Sequence, residues 1–339
     1  ALVNHGPVKV FADKSEDFES FDKHSKADVE RFGGIKLFRK YRKANRIAEY
    51  IKENKNVRSI FFDHWKSVEK INLEIIESLP TFCLIHSKEI NHSKDSSLNK
   101  RVLNSIKKVK YVISNSNFTK KLAINIGIPE NKIHIIHPGC DEPIEIKSEF
   151  QKQAENIFKD SFPKILTVAR LDKRKNHQSI LMCIRNLKEK FPKIKYVSVG
   201  NGDQKKTLFT LIKELKIENE VILLEQTDQR LKAALIKNSN LFLMPSKIYK
   251  KSVEGFGISF IEAASYGIGS IGGKDGGASD AIDNKKTGLI CDGEDINSIY
   301  ECILKFFENE NYKKFGYNAL DFSKKFSWNK IVKEYLNLI

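Results

Sequence analysis

Short runs of consecutive Ile, Val, Phe and Leu, each followed by an amphipathic stretch, recur along the first part of the chain and recur again from Lys164. A sheet with one wet face does not read this way, because its strands alternate apolar and polar residues. Strands that are apolar throughout are buried on both faces, as in parallel sheets covered by helices on either side. In the first half, strands are expected at 8–12, 59–62, 81–86, 111–114 and 133–136. Helices are expected at 37–52, 69–78, 98–108 and 117–126, with a polar loop at 13–28. Leu37, Tyr41, Ala44, Ile47, Ala48 and Ile51 fall on one face of the first of these helices. In the second half, strands are expected at 164–169, 195–200, 221–224, 240–244, 269–272 and 288–291. The intervening helices lie at 176–191, 204–215, 228–238 and 296–307, and another runs from 311 onward.

Between the halves, residues 141–163 are charged, with prolines near both ends, and read as a connection. At 339 residues two domains are the expectation. The first is placed at 1–145, a linker at 146–162 and the second domain at 163–322. A C-terminal helix at 323–339 is expected to return to the first domain. Both halves read as doubly wound α/β domains, which bind ligands at the carboxyl ends of their strands, so their loops are expected to line a shared cleft.

Composition removes several classes. No run of about eighteen apolar residues is present, so no membrane-spanning helix is expected, and no signal peptide is visible. A cytoplasmic protein is the reading, with residues expected to precede Ala1. The five cysteines are scattered and show no metal-ligand spacing. The formal net charge of +16 points to anionic partners. No basic block is interleaved with stacking aromatics, so nucleic acid is not among them. Basic helices in the first half (Lys36, Arg39, Lys40, Arg42, Lys43, Arg46; Lys100, Arg101, Lys107, Lys108) either touch an anionic bilayer or form solvated faces.

Two stretches carry the chemistry. In Ser252-Val-Glu-Gly-Phe-Gly-Ile-Ser-Phe-Ile-Glu262, two acids flank a Gly-Phe-Gly turn that opens a helix. The first N–H groups of a helix have no intrahelical partner and suit a polar or anionic ligand. In Arg170-Leu-Asp-Lys-Arg-Lys175, four cations (Arg170, Lys173, Arg174 and Lys175) crowd a helix N-terminus, where the helix dipole disfavours positive charge. An anion between those cations and the helix N–H groups explains the arrangement, and a diphosphate suits it. A solvated Lys-rich loop is the plainer alternative.

Together these pieces resemble the retaining glycosyltransferases of family 4, with the GT-B architecture of two facing Rossmann-like domains. Val168-Ala-Arg-Leu-Asp-Lys-Arg-Lys175-Asn is similar to the family's G-R-L-x-x-x-K-G segment, with Ala169 and Asn176 in place of glycines. Val199-Gly-Asn-Gly202 is similar to its V-G-x-G turn, and Asn240-Leu-Phe-Leu-Met-Pro-Ser246 to its a-D-v-f-v-x-P-S strand. Glu254 to Glu262 matches E-x7-E. Gly276-Gly-Ala-Ser-Asp280, Thr287-Gly-Leu, Ser116-Asn-Phe-Thr and Pro138-Gly-Cys-Asp141 complete the likeness. The family's opening strand and Gly-rich loop have no counterpart after Ala1.

The resemblance implies transfer of a hexose from a UDP- or GDP-linked sugar to a glycan or lipid-linked acceptor of the cell envelope, lipopolysaccharide or glycolipid included. Phosphatidylinositol mannosyltransferases are the members most resembled. Residues 1–145 would then bind the acceptor. Arg170 and Lys175 would grip the diphosphate, Glu262 the ribose hydroxyls and Glu254 a sugar hydroxyl. Gly255, Phe256, Gly257 and Ile258 would offer N–H groups to the donor, with Gly200 and Gly202 nearby. His86, at the end of a buried strand, would sit beside the donor sugar, with His64 and His92 as weaker candidates. The resemblance implies no cofactor and no metal. The membrane contact would be peripheral, at the inner face. A sugar-nucleotide epimerase on the same architecture, or a non-catalytic sugar-nucleotide binder, is the alternative.

Overall fold

A computed structural model describes residues 1–94, 96–225 and 227–339. It divides the chain into two compact units. One comprises Ala1–Asn115, Lys120–Ile136 and Trp328–Ile339, and the other Ser116–Thr119 and His137–Ser327.

In the first unit β1 (Lys9–Asp13) and β2 (Asp28–Phe32) form a parallel pair. A separate four-stranded parallel sheet runs in chain order through β3 (Ile60–Phe62), β4 (Thr81–Ile85), β5 (Tyr111–Ser114) and β6 (Ile133–Ile135). Its strands are buried on both faces. Cys83, Ile85 and Val112 pack with Val68, Val102 and Ala123. Phe82 and Ile113 point the other way, onto Ile331 and Tyr335 of the final helix, Trp328–Leu336.

Three expectations change here. The stretch read as a loop at 13–28 carries a helix, Phe18–His24, and leads into β2. Three of that strand's five residues are charged, with Lys9 pairing with both Asp28 and Glu30 across the pair, so its apolar signal is diluted. The single helix at 69–78 is two short ones, Trp65–Val68 and Leu73–Glu77. The second starts where the Asn72 side chain accepts the Glu74 N–H. In the helix Lys36–Glu53, Ala44, Ile47, Ala48 and Ile51 meet the core, but Leu37 and Tyr41 are exposed.

The second unit holds one six-stranded parallel sheet of order β12-β11-β10-β7-β8-β9. Its strands are β7 (Lys164–Val168), β8 (Lys195–Val199), β9 (Val221–Leu224), β10 (Leu241–Met244), β11 (Ser270–Gly273) and β12 (Gly288–Cys291). Side chains alternate between two cores. Ile165, Tyr196, Leu241 and Ile271 face Ile180, Ile184, Leu208, Ile299 and Phe306. Leu166, Val197, Phe242 and Met244 face Ala154, Phe158, Leu235, Phe260 and Ile261. Chain order runs outward in both directions from β7 and β10, so the sheet is doubly wound and its strand order reverses between those two neighbours. Loops leaving their carboxyl ends diverge there and open a crevice.

Candidate active site

The loop leaving β7 and the loop leaving β10 both start at that reversal. The first is held by backbone bonds from Ala169 to Val199 and from Leu171 to Asn201, each 3.0 Å. Its next turn, Lys173–Lys175, is capped by Asp172, whose carboxylate accepts the Lys175 N–H at 3.1 Å. Asn176 takes a left-handed conformation, φ 62°, and starts the helix His177–Lys190. Its side-chain amide donates to the carbonyls of Pro245 (3.2 Å) and Gly293 (2.6 Å), which ties the turn to the loop after β10.

Gly200 and Gly202 are needed by this packing. A Cβ on Gly200 would stand 2.0 Å from the Ala169 carbonyl oxygen, and one on Gly202 2.3 Å from that of Leu171. Behind the turn, buried His177 contacts the Arg170 carbonyl through Nε2 at 3.2 Å. Its Nδ1 lies 3.1 Å from Tyr196 Oη and 3.4 Å from Ser198 Oγ. A carbonyl only accepts, so Nε2 carries the proton and Nδ1 accepts. Burial drives the His177 pKa down to about 4, and the ring is neutral at ordinary pH.

Glu254 arrives from the other loop. Its backbone bridges to Gly276, and its carbonyl accepts the Gly277 N–H at 2.8 Å. A Cβ on Gly277 would sit 2.0 Å from the Gly255 carbonyl oxygen, so the paired glycines let two backbones close on each other. Gly257, at φ 92°, opens the helix Ile258–Ser265 with no side-chain cap, and a Cβ there would strike the Phe260 ring. The leading N–H groups of that helix lack intrahelical acceptors. The Phe256 side chain is buried and stacks on His137, with ring centroids 5.1 Å apart.

At the centre, Glu254 Oε2 accepts from Arg174 Nη1 at 2.7 Å and lies in direct contact with Lys175 Nζ. Lys175 Nζ also reaches Met244 Sδ, the last residue of β10, at 3.1 Å. Arg174 and Lys175 are each 8% exposed. Burial works to raise the Glu254 pKa, but the two cations outweigh it and hold the carboxyl below its ordinary range. Lys175 is lowered, first by burial and then by the charge of Arg174, against the pull of Glu254. The cluster sets two cations against one carboxylate, a formal excess of one positive charge.

The four cations expected to wait for an anion are therefore divided. Arg170, its side chain 72% exposed, pairs with Asp172 at 3.0 Å. Lys173 lies over the Tyr249 ring. Only Lys175 and Arg174 join Glu254, and the anion between them is that glutamate. The resemblance gives roles to Arg170 and Lys175 and none to Arg174. Its partner lies 80 positions away, and only the adjacency of β7 and β10 brings them together. Glu262 stands on the helix Ile258–Ser265 and pairs with Lys232 at 3.4 Å, outside the cluster.

His86 belongs to the first unit, at the carboxyl end of β4. It is exposed, and its backbone N–H donates to Glu89. The next residue, Ser87, is buried at φ 90°, a conformation uncommon for a side chain with a Cβ. His64, at the end of neighbouring β3, has its pKa lowered chiefly by burial. The His92 ring meets the Glu89 carbonyl at 2.9 Å.

A doubly wound sheet with buried cations, a carboxylate and an uncapped helix at its reversal point marks an α/β protein whose ligand crevice is expected at that point. The chain belongs to the family described as glycosyl transferases group 1, which matches residues 148–322, and residues 2–142 match glycosyltransferase family 4. An uncharacterized glycosyltransferase of Methanocaldococcus jannaschii is 29% identical over 229 residues, covering 59% of this chain and 53% of that protein. A Mycolicibacterium smegmatis protein named GDP-mannose-dependent alpha-(1-6)-phosphatidylinositol monomannoside mannosyltransferase is 27% identical over 139 residues, covering 40% of this chain and 36% of its own length. The chain spans little more than half the length of the first relatives it matches. The crystal structure of Anabaena HepE in complex with UDP superposes with a TM-score of 0.81 at 17% identity, covering 98% of this chain and 100% of that one. The fold is that of the GT-B glycosyltransferases.

Proposed function

We propose that this chain transfers a hexose from a nucleoside-diphosphate sugar to a glycan or lipid-linked acceptor, with retention at the anomeric carbon and without a metal. The observation that carries the reading is the buried Lys175–Glu254–Arg174 cluster. It has one positive charge in excess and lies beside an uncapped helix start, where β7 and β10 diverge. Sugar transfer leaves negative charge on a diphosphate. Fixed cations and backbone dipoles in a site screened from water stabilise such charge strongly.

In this reading Lys175 meets the diphosphate, and Arg170 swings from Asp172 to join it. Glu254 Oε1 accepts a sugar hydroxyl. The N–H groups at Gly257 and Ile258 serve the donor, Glu262 holds the ribose, and His86, from the first unit, stands beside the donor sugar. The mannosyltransferase relative supports a hexose and a lipid-linked acceptor. Among the described residues no helix is long and apolar enough to cross a membrane, and we propose peripheral contact with an anionic bilayer, reading the chain as cytoplasmic.

The test is release of nucleoside diphosphate from a panel of UDP- and GDP-sugars with mixed glycan and lipid acceptors, with and without EDTA. Acceptor-dependent release that EDTA leaves unchanged is the expected result. Turnover that needs no acceptor would point to the epimerase alternative, and no turnover with any donor would sink the transferase reading.

A further inference from the structure

Arg174 is buried where Arg170 is exposed, and its backbone is immobilised. Its carbonyl accepts the Lys247 N–H at 3.0 Å, and the flanking Asp172 and Asn176 fix the turn on either side. Any adjustment on ligand binding must therefore fall to side chains.

Lys175 and Arg174 share one oxygen of Glu254, while the second oxygen accepts no hydrogen bond from the described residues. Arg174 Nε is buried without a partner among them, so the guanidinium has donors unspent. An ammonium touching a buried carboxylate is not free to leave, because departure strips that carboxylate of its partner. Lys175 can turn to a phosphate only if Glu254 keeps another cation. A guanidinium, charged at every accessible pH, suits that task.

We propose that Arg174 is a positioning residue: it retains the Glu254 carboxylate, and so releases Lys175 to the diphosphate of a nucleotide sugar. The inference rests on the diphosphate role of Lys175 proposed above. It makes the excess positive charge of the cluster functional, since the incoming phosphate replaces Glu254 as the counter-ion of Lys175 while Glu254 stays paired.

Calorimetric titration with UDP and with GDP tests this, since neither carries the sugar whose hydroxyl Glu254 would hold. Arg174→Met is expected to bind about tenfold more weakly than wild type, because Lys175 stays locked on Glu254. In Arg174→Met/Glu254→Gln no carboxylate remains to hold Lys175, and affinity is expected to return to within about threefold of wild type. A purely structural role for Arg174 leaves the double variant at least as weak as the single one, and that result overturns the proposal. Arg174→Lys keeps a cation on Glu254 and is expected to bind within about threefold of wild type. A tenfold loss in Arg174→Lys overturns the proposal even if Arg174→Met does not fold. Wild-type protein that binds neither UDP nor GDP overturns the diphosphate reading itself, whereas normal wild-type binding without recovery in the double variant overturns only the part given to Arg174.

Discussion

Glu254 and His177 are both buried titratable groups, and their lowered pKa values bear on stability in separate pH windows. For His177 the folded value of about 4 lies below the ordinary 6.5, so between those values the unfolded chain binds the extra proton. The stabilisation is whole above pH 6.5 and lost as pH falls toward 4, on the order of 3 kcal/mol in all. His177→Gln is expected to flatten urea-derived stability across that window. The Glu254 carboxyl lies below its ordinary 4.5, so its contribution is whole above 4.5 and falls at lower pH. Glu254→Gln leaves two buried cations uncompensated and is expected to cost about 3–5 kcal/mol near neutral pH. Its stability is then expected to fall less than that of wild type as pH drops below 4.5. Equal slopes for variant and wild type would show that Glu254 is not the ionised partner. The Lys175–Glu254 contact was half legible from sequence, since both residues occupy motif positions. Their sharing with Arg174 was not, because side-chain partners 80 residues apart depend on strand order.

Elements were legible wherever the chain is buried on both faces. The strands of the six-stranded sheet and of β3–β6 are apolar runs, and burial of both faces is what makes them so. The pair β1–β2 escaped in part because three of the five residues of β2 are charged. The helix Lys36–Glu53 misled in a more useful way. Its first turn and the residue before it expose Ile35, Leu37 and Phe38 at 71%, 58% and 61%. Several of its cations are already paired: Arg39 and Lys43 with Asp13, Lys40 with Glu69, and Arg46 with Glu30 and Glu53. The charge available to a bilayer is therefore smaller than the sequence count, and the apolar tip carries more of the proposed contact. Leu37→Ser/Phe38→Ser is expected to reduce co-sedimentation with phosphatidylglycerol vesicles several-fold. Salt, which screens exposed charges, should release the wild type only in part. Full release by salt with no effect of the two serines would assign the contact to charge alone.

At the scale of the molecule, every residue proposed to hold the nucleotide of the donor lies in one unit. Every residue of its two hydrophobic clusters falls between Cys140 and Phe326, and Arg170, Lys175, Glu254 and Glu262 lie inside the same limits. The segment Ser116–Thr119 joins this unit from elsewhere in the chain, and Asn117 donates its backbone and side-chain N–H groups to Asp280 at 2.6 and 3.0 Å. That contact caps a helix start with a carboxylate at the periphery of the unit. Losing it should cost roughly 1 kcal/mol, the size of an ordinary cap, and not the fold. A fragment of residues 137–327 is therefore expected to unfold in a single cooperative transition. It should bind UDP or GDP within about tenfold of the intact chain, a difference of about 1.4 kcal/mol, while releasing no nucleoside diphosphate to an acceptor because His86 and the rest of the first unit are absent. Thermal denaturation and calorimetry on the fragment decide the point. A fragment that folds but has lost nucleotide affinity altogether would mean that the first unit supplies part of the donor site, and that the cluster around Glu254 is not sufficient for it.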